Sequence, residues 1–65
     1  MIQELDLIAL LTDRPALGLR RGDVGTVVHL YGGNDLCEVK FIDAKGDTVA
    51  VETLATAEVR AVDLG

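Results

Sequence analysis

Few side chains in this sequence could carry out covalent chemistry. It holds one cysteine, Cys37, one histidine, His29, and no serine. A Cys37–His29 pair would need the imidazole beside the thiol and a third group to orient it. The local pattern argues against that pairing. Cys37, Val39 and Phe41 alternate with Glu38 and Lys40, which places the thiol on an apolar face as a small hydrophobe. His29 lies inside a β-branched run with no evident orienting partner, and catalytic clefts are rare in a chain of this size. A zinc site needs four ligands, more than one cysteine and one histidine supply. Asp43, Asp47 and Glu52 are spaced too sparsely for the dense oxygen ligands of a calcium loop. The expectation is a non-catalytic chain with no metal, no cofactor and no evident small-molecule substrate.

The remaining chemistry is electrostatic. Arg14, Arg20 and Arg21 are three of the six basic residues and fall within one glycine-containing stretch that leads into RRGDVGTVV, Arg20 to Val28. Neutralising phosphates with Lys and Arg is the main source of nucleic-acid affinity, and single-strand binders add aromatic stacking platforms. The only aromatic residues of these types are Tyr31 and Phe41, and the net charge is −5. Residues 1–34 carry −1 and residues 35–65 carry −4, an acidic surface that repels phosphate backbones. Nucleic-acid binding through Arg14, Arg20 and Arg21 is therefore the alternative reading. The Arg21-Gly22-Asp23 tripeptide reads as a turn rather than an adhesion signal. A groove for Pro-rich ligands would need aromatic walls that this chain cannot build.

These residues must be positioned by short strands. Val24 to Tyr31 is β-branched and apolar, and Gly25 within it marks a bulge or a close backbone approach. Gly32 to Asp35 forms a turn by composition. Leu36 to Ile42 has the clearest period of two, and Asp43 to Asp47 is a hairpin turn. Thr48 to Thr53 is a further strand, with Val49 and Val51 on one face. Leu54 to Glu58 fits a single tight turn, and Val59 to Asp63 a last short strand. Residues 4–11 read as a strand, with helix as the alternative, because short apolar runs are ambiguous by periodicity. Thr12 to Asp23 is a loop in which Pro15 favours extended backbone before it. The fold class is all-β: short strands at this spacing give a small barrel or sandwich, spanning residues 1–65 as one domain. The order of strand, long loop, strand, hairpin, hairpin, one-turn helix and last strand resembles that of an SH3-like barrel of about five short strands.

The segments D-L-I-A-L, G-L-R-R-G-D-V-G-T-V-V, E-V-K-F-I-D and E-V-R-A-V together cover nearly the whole chain. In these segments the chain resembles a family of small uncharacterised bacterial proteins, a domain of unknown function. Arg21 to Leu30 is also similar to the core of a KOW-type element. The resemblance implies an SH3-like barrel and supplies no activity and no catalytic or binding residues. On that view Gly22 and Gly25 allow the turn and the bulge, while Val24, Val27 and Val28 fill the barrel.

A chain of 65 residues buries only about 60% of its unfolded surface, and small domains usually need a staple. A lone cysteine cannot form an internal disulfide, which leaves association. No apolar run approaches the ~20 residues of a membrane span, and no signal-peptide pattern is evident. One thiol and no targeting segment make the cytoplasm the expected compartment. Apolar residues are 49% of the chain, and those of residues 2–11 fall on both faces of the first strand. A barrel has one interior, so the second face should be covered by the chain's own long loop, by a second subunit or by another protein, and a partner is the favoured reading. The expectation is a protein-interaction module, a homo-oligomer or the binder of a basic protein, with Ile2, Ile8, Leu10 and Tyr31 at the interface and an acidic rim setting specificity.

Overall fold

The structure, a computed structural model, describes residues 2–62. Five strands follow in chain order: β1 Leu7–Leu10, β2 Val24–Tyr31, β3 Leu36–Ile42, β4 Thr48–Ala55 and β5 Val59–Ala61. All neighbours are antiparallel, in one sheet of order β4-β3-β2-β1-β5. Three single-turn 3-10 segments interrupt the connections: Pro15–Leu17, Gly32–Asn34 and Thr56–Glu58, the last of them leading into β5. The all-β architecture of five short strands with a single turn before the last is therefore observed.

β2 and β3 match the ranges expected from the sequence. β4 runs two residues further, through Leu54 and Ala55, because its inward alternation continues to Leu54. β1 is shorter than residues 4–11. Leu5 has φ 72°, a left-handed backbone that cannot belong to a strand, so the ladder begins at Leu7. β5 ends at Ala61, and Asp63, its expected end, lies outside the described residues.

One hydrophobic cluster receives a side chain from every strand. Ile8 and Leu10 come from β1, Val27 from β2, Cys37, Val39 and Phe41 from β3, Leu54 from β4 and Val59 from β5. The sheet therefore wraps around a single interior. Two irregularities bend it, one between Val27 and His29 in β2 and one between Phe41 and Ile42 on the β3–β4 ladder. Leu19 reaches into the cluster from the long β1–β2 loop and anchors it. The loop is closed by mutual hydrogen bonds between Arg14 and Leu19, and by the amide of Leu10 donating to Asp23 while that of Gly22 donates to Leu10. Gly25 opposes Ile8 on one side and Phe41 on the other. It marks a close approach, not a bulge: a Cβ there would lie 2.6 Å from Cγ1 of Val39.

Candidate interaction surface

Three of the four residues expected at an interface lie elsewhere. Ile8 and Leu10 are 0% and 1% exposed, in the centre of the core, and Ile2 is half-buried against the same cluster. The sequence of β1 does not distinguish its faces, because Leu7, Ala9 and Leu11 on one phase and Ile8 and Leu10 on the other are all apolar. The left-handed Leu5 sets the phase, and Ile8 and Leu10 are the side chains that turn inward. Ala9, on the opposite face, is buried as well, so β1 offers no open apolar face within Leu7–Leu10. Tyr31 alone of the four is exposed, at 38%.

Exposed apolar surface is instead concentrated on the outer side of β2, β3 and β4. Cys37, Val39 and Phe41 face inward, which turns Leu36, Glu38, Lys40 and Ile42 outward. Leu54 faces inward on β4, which turns Val51 outward opposite Lys40. Val49, at the ladder irregularity, is 56% exposed and Val51 48%. At one end of this face Val24, Ile42 and Val49 border a shallow cleft of about 150 Å³ that also touches Leu19, Phe41 and Asp23. At the other end Tyr31 pairs with Leu36, which pairs with Ala55.

A polar band separates the two apolar ends. His29 opposes Glu38, and Thr26 opposes Lys40. The Tyr31 hydroxyl donates to Glu38 Oε1 at 3.2 Å, and the His29 ring meets the Tyr31 ring edge-on at 4.5 Å. His29 Nδ1 lies 3.6 Å from Glu4 Oε2. Desolvation, then the neighbouring Glu38 carboxylate, raises the Tyr31 phenol above its ordinary pKa, so it remains a neutral donor at physiological pH.

β4 ends the sheet, and its far edge is open. Among the described residues, no backbone hydrogen bond beyond the β3 ladder reaches Thr48 to Leu54. The amide of Ala55 is already committed, donating to Glu58 Oε1 at 3.1 Å.

The basic loop is partly used by the fold itself. Arg14 Nη1 donates to Glu58 Oε2 at 2.7 Å, tying the β1–β2 loop to the Thr56–Glu58 turn. Arg20 and Arg21 have exposed side chains, while their amides donate to Asp23 and Asp13. Gly22, with φ 92°, makes Arg21-Gly22-Asp23 a turn. The carboxylate of Asp23 folds back onto the Arg20 amide rather than pointing outward.

The sheet separates the two chemically active side chains. Cys37 opposes Leu30 on the inner face, whereas His29 points outward opposite Glu38, so no thiol–imidazole pair forms. Burial, reinforced by the charge of Glu58, pushes the Cys37 thiol above its ordinary pKa. Asp43 accepts hydrogen bonds from the amides of Lys45 and Asp47 and so closes the β3–β4 turn. Among the described residues no group of His, Cys, Asp or Glu is arranged to hold a metal ion, and no helix is long and apolar enough to cross a membrane.

Fold and surface together define a small all-β domain whose most prominent feature is an apolar outer face beside an open strand edge. Residues 4–61 match the family described as a domain of unknown function, DUF4926, and the chain belongs to that family. Neither a curated protein nor a solved structure matches it.

Proposed function

We propose that this chain is a non-catalytic protein-interaction module on an SH3-like, KOW-type barrel, and that its contact surface is the outer side of β2, β3 and β4. The strand order, the long β1–β2 loop and the single turn before β5 support the barrel assignment. The observation that carries the functional reading is the exposure of Val24, Tyr31, Leu36, Ile42, Val49 and Val51 on that side of one small domain. Exposed apolar surface gathered on one side of a small domain marks a contact site, and burying it is the main driving force of association. The polar band of His29, Glu38 and Lys40 gives such a contact direction. A lone buried thiol fits a reducing compartment such as the cytoplasm.

The test is capture by a tagged chain, wild type against Ile42→Lys/Val51→Lys, each with and without nuclease. Protein retained by the wild type and lost by the variant supports the reading, whether it is an untagged copy of the chain or another protein. Retention that nuclease abolishes and the variant preserves would assign the loop arginines to nucleic acid and overturn it.

A further inference from the structure

We propose that the open edge of β4, which borders this surface, is taken by a second copy of the chain in an antiparallel two-fold pairing centred on Val51. The inference rests on the interaction surface described above and names its partner. Two features of β4 carry it: the extent of its open edge and the placement of its single charge.

The open segment is Thr48 to Leu54, because Ala55 has already given its amide to Glu58. The midpoint of that segment is Val51. Pairing about Val51 brings Thr48 opposite Leu54, Val49 opposite Thr53 and Ala50 opposite Glu52, and uses the whole open edge. Proteins guard edges with lysine, proline, short strands, bulges or inward-pointing charges. β4 is eight residues long and reads TVAVETLA, with neither lysine nor proline; its guards are the ladder irregularity near Val49 and the inward-phase Glu52, and both leave the centre of the edge at Val51 open.

Charge selects the same register. A two-fold axis perpendicular to the sheet keeps the outer face outward only when some residue opposes its own copy. Centring on Glu52 would set two carboxylates directly across from each other, which is destabilising. Centring on Val51 sets each Glu52 against an alanine and places two exposed valines side by side on the outer face. Lys40 flanks Val51 on β3. In the joined sheet the two Lys40 residues are three strand spacings apart, about 14 Å. That exceeds the Debye length of about 8 Å at physiological salt, so their repulsion is screened. The result is one continuous sheet in which the apolar outer surfaces of both copies are contiguous.

Disulfide trapping tests the register. Directly opposed residues have Cα atoms about 4.5–5.5 Å apart, within the range a disulfide spans. Val51→Cys should cross-link two chains under mild oxidation, since each new thiol meets its own copy. Thr53→Cys should not, because its copy lies about four residues away along the edge, roughly 13 Å. The native thiol, Cys37, is buried and does not compete. Efficient cross-linking of Val51→Cys with little for Thr53→Cys supports the proposal. Equal cross-linking of both, or of neither, overturns it. If neither cross-links while nuclease-resistant capture of a different protein is lost in Ile42→Lys/Val51→Lys, the interaction surface stands and only the second copy falls. If that capture is also absent, both fall.

Discussion

Replacing Gly25 by alanine should destabilise the domain, and the reason lies in packing rather than in backbone conformation. The added Cβ would stand 2.6 Å from Val39 Cγ1 and 3.0 Å from both the Lys40 carbonyl oxygen and Phe41 Cδ1. Ordinary carbon contacts lie at about 3.5–4.0 Å. Val39 and Phe41 are core residues, and the Lys40 carbonyl belongs to the backbone of the neighbouring strand, so none of the three can swing away. Overpacking of this kind costs about 1–3 kcal/mol. Against it stands the lower unfolded-state entropy of alanine, about 0.5–1 kcal/mol in favour of folding. The net loss is about 1–2 kcal/mol, which lowers the melting temperature by roughly 5–15 °C in a domain of this size. Circular dichroism melts of the wild type and Gly25→Ala measure it. A Val39→Ala background isolates the cause. With Cγ1 gone, Gly25→Ala should cost about 1 kcal/mol less, a coupling typical of residues in contact. Gly22→Ala is the control, because no atom lies within 4 Å of its added Cβ and its cost comes from φ 92° alone. It should be additive with Val39→Ala. A Gly25→Ala melt unchanged from wild type, or strict additivity with Val39→Ala, would refute the close-approach argument.

Other consequences can be measured in the same way. Leu5 holds a left-handed backbone with 79% of its surface exposed, so Leu5→Gly relieves about 1–2 kcal/mol of strain against about 0.5–1 kcal/mol of added chain entropy; thermal melts should show a gain of a few degrees. Glu58→Gln weakens a part-exposed ion pair with Arg14 while leaving an acceptor for the Ala55 amide, so chemical denaturation should show a loss of about 0.5–1 kcal/mol that shrinks in high salt. The same substitution removes a charge that raises the Cys37 pKa, and thiolate absorbance should titrate at lower pH in Glu58→Gln than in the wild type. Because folding raises the Cys37 pKa, its contribution to stability is complete below the unfolded thiol's pKa of about 8.5 and is lost as pH rises through the folded value. The alkaline decline in melting temperature should accordingly be shallower in Cys37→Ala.

The middle of the chain was legible because its chemistry alternates cleanly. Leu36–Ile42 places Cys37, Val39 and Phe41 on one side with charge between them, and only one register buries all three. β4 is two residues longer than its sequence pattern suggests, because Leu54 to Glu58 fits a single tight turn, whereas the inward phase of Leu54 continues the strand. β1 failed for a different reason. Its residues are apolar on both faces, so the pattern contains no phase, and the one local event that sets it is a leucine adopting a conformation that leucine normally avoids. The exposed apolar face was visible at one residue only. Tyr31 was identified, but Ile42, Val49 and Val51 were not, although the inward phases of Phe41 and Leu54 were enough to turn Ile42 and Val51 outward. Arg14 gave no local sign of its tie to Glu58, because that contact joins residues 44 positions apart.

Molar mass by light scattering across a concentration series, for the wild type and Val51→Lys, tests the central claim most directly. Val51 is exposed in the single chain, so lysine leaves the fold intact but sets two charges face to face at the centre of the paired edges. The account predicts a wild-type mass that climbs to twice that of the monomer and a variant that stays monomeric with an unchanged melting temperature at low concentration. A wild type that remains monomeric throughout, or a variant that associates as readily as the wild type, would contradict it.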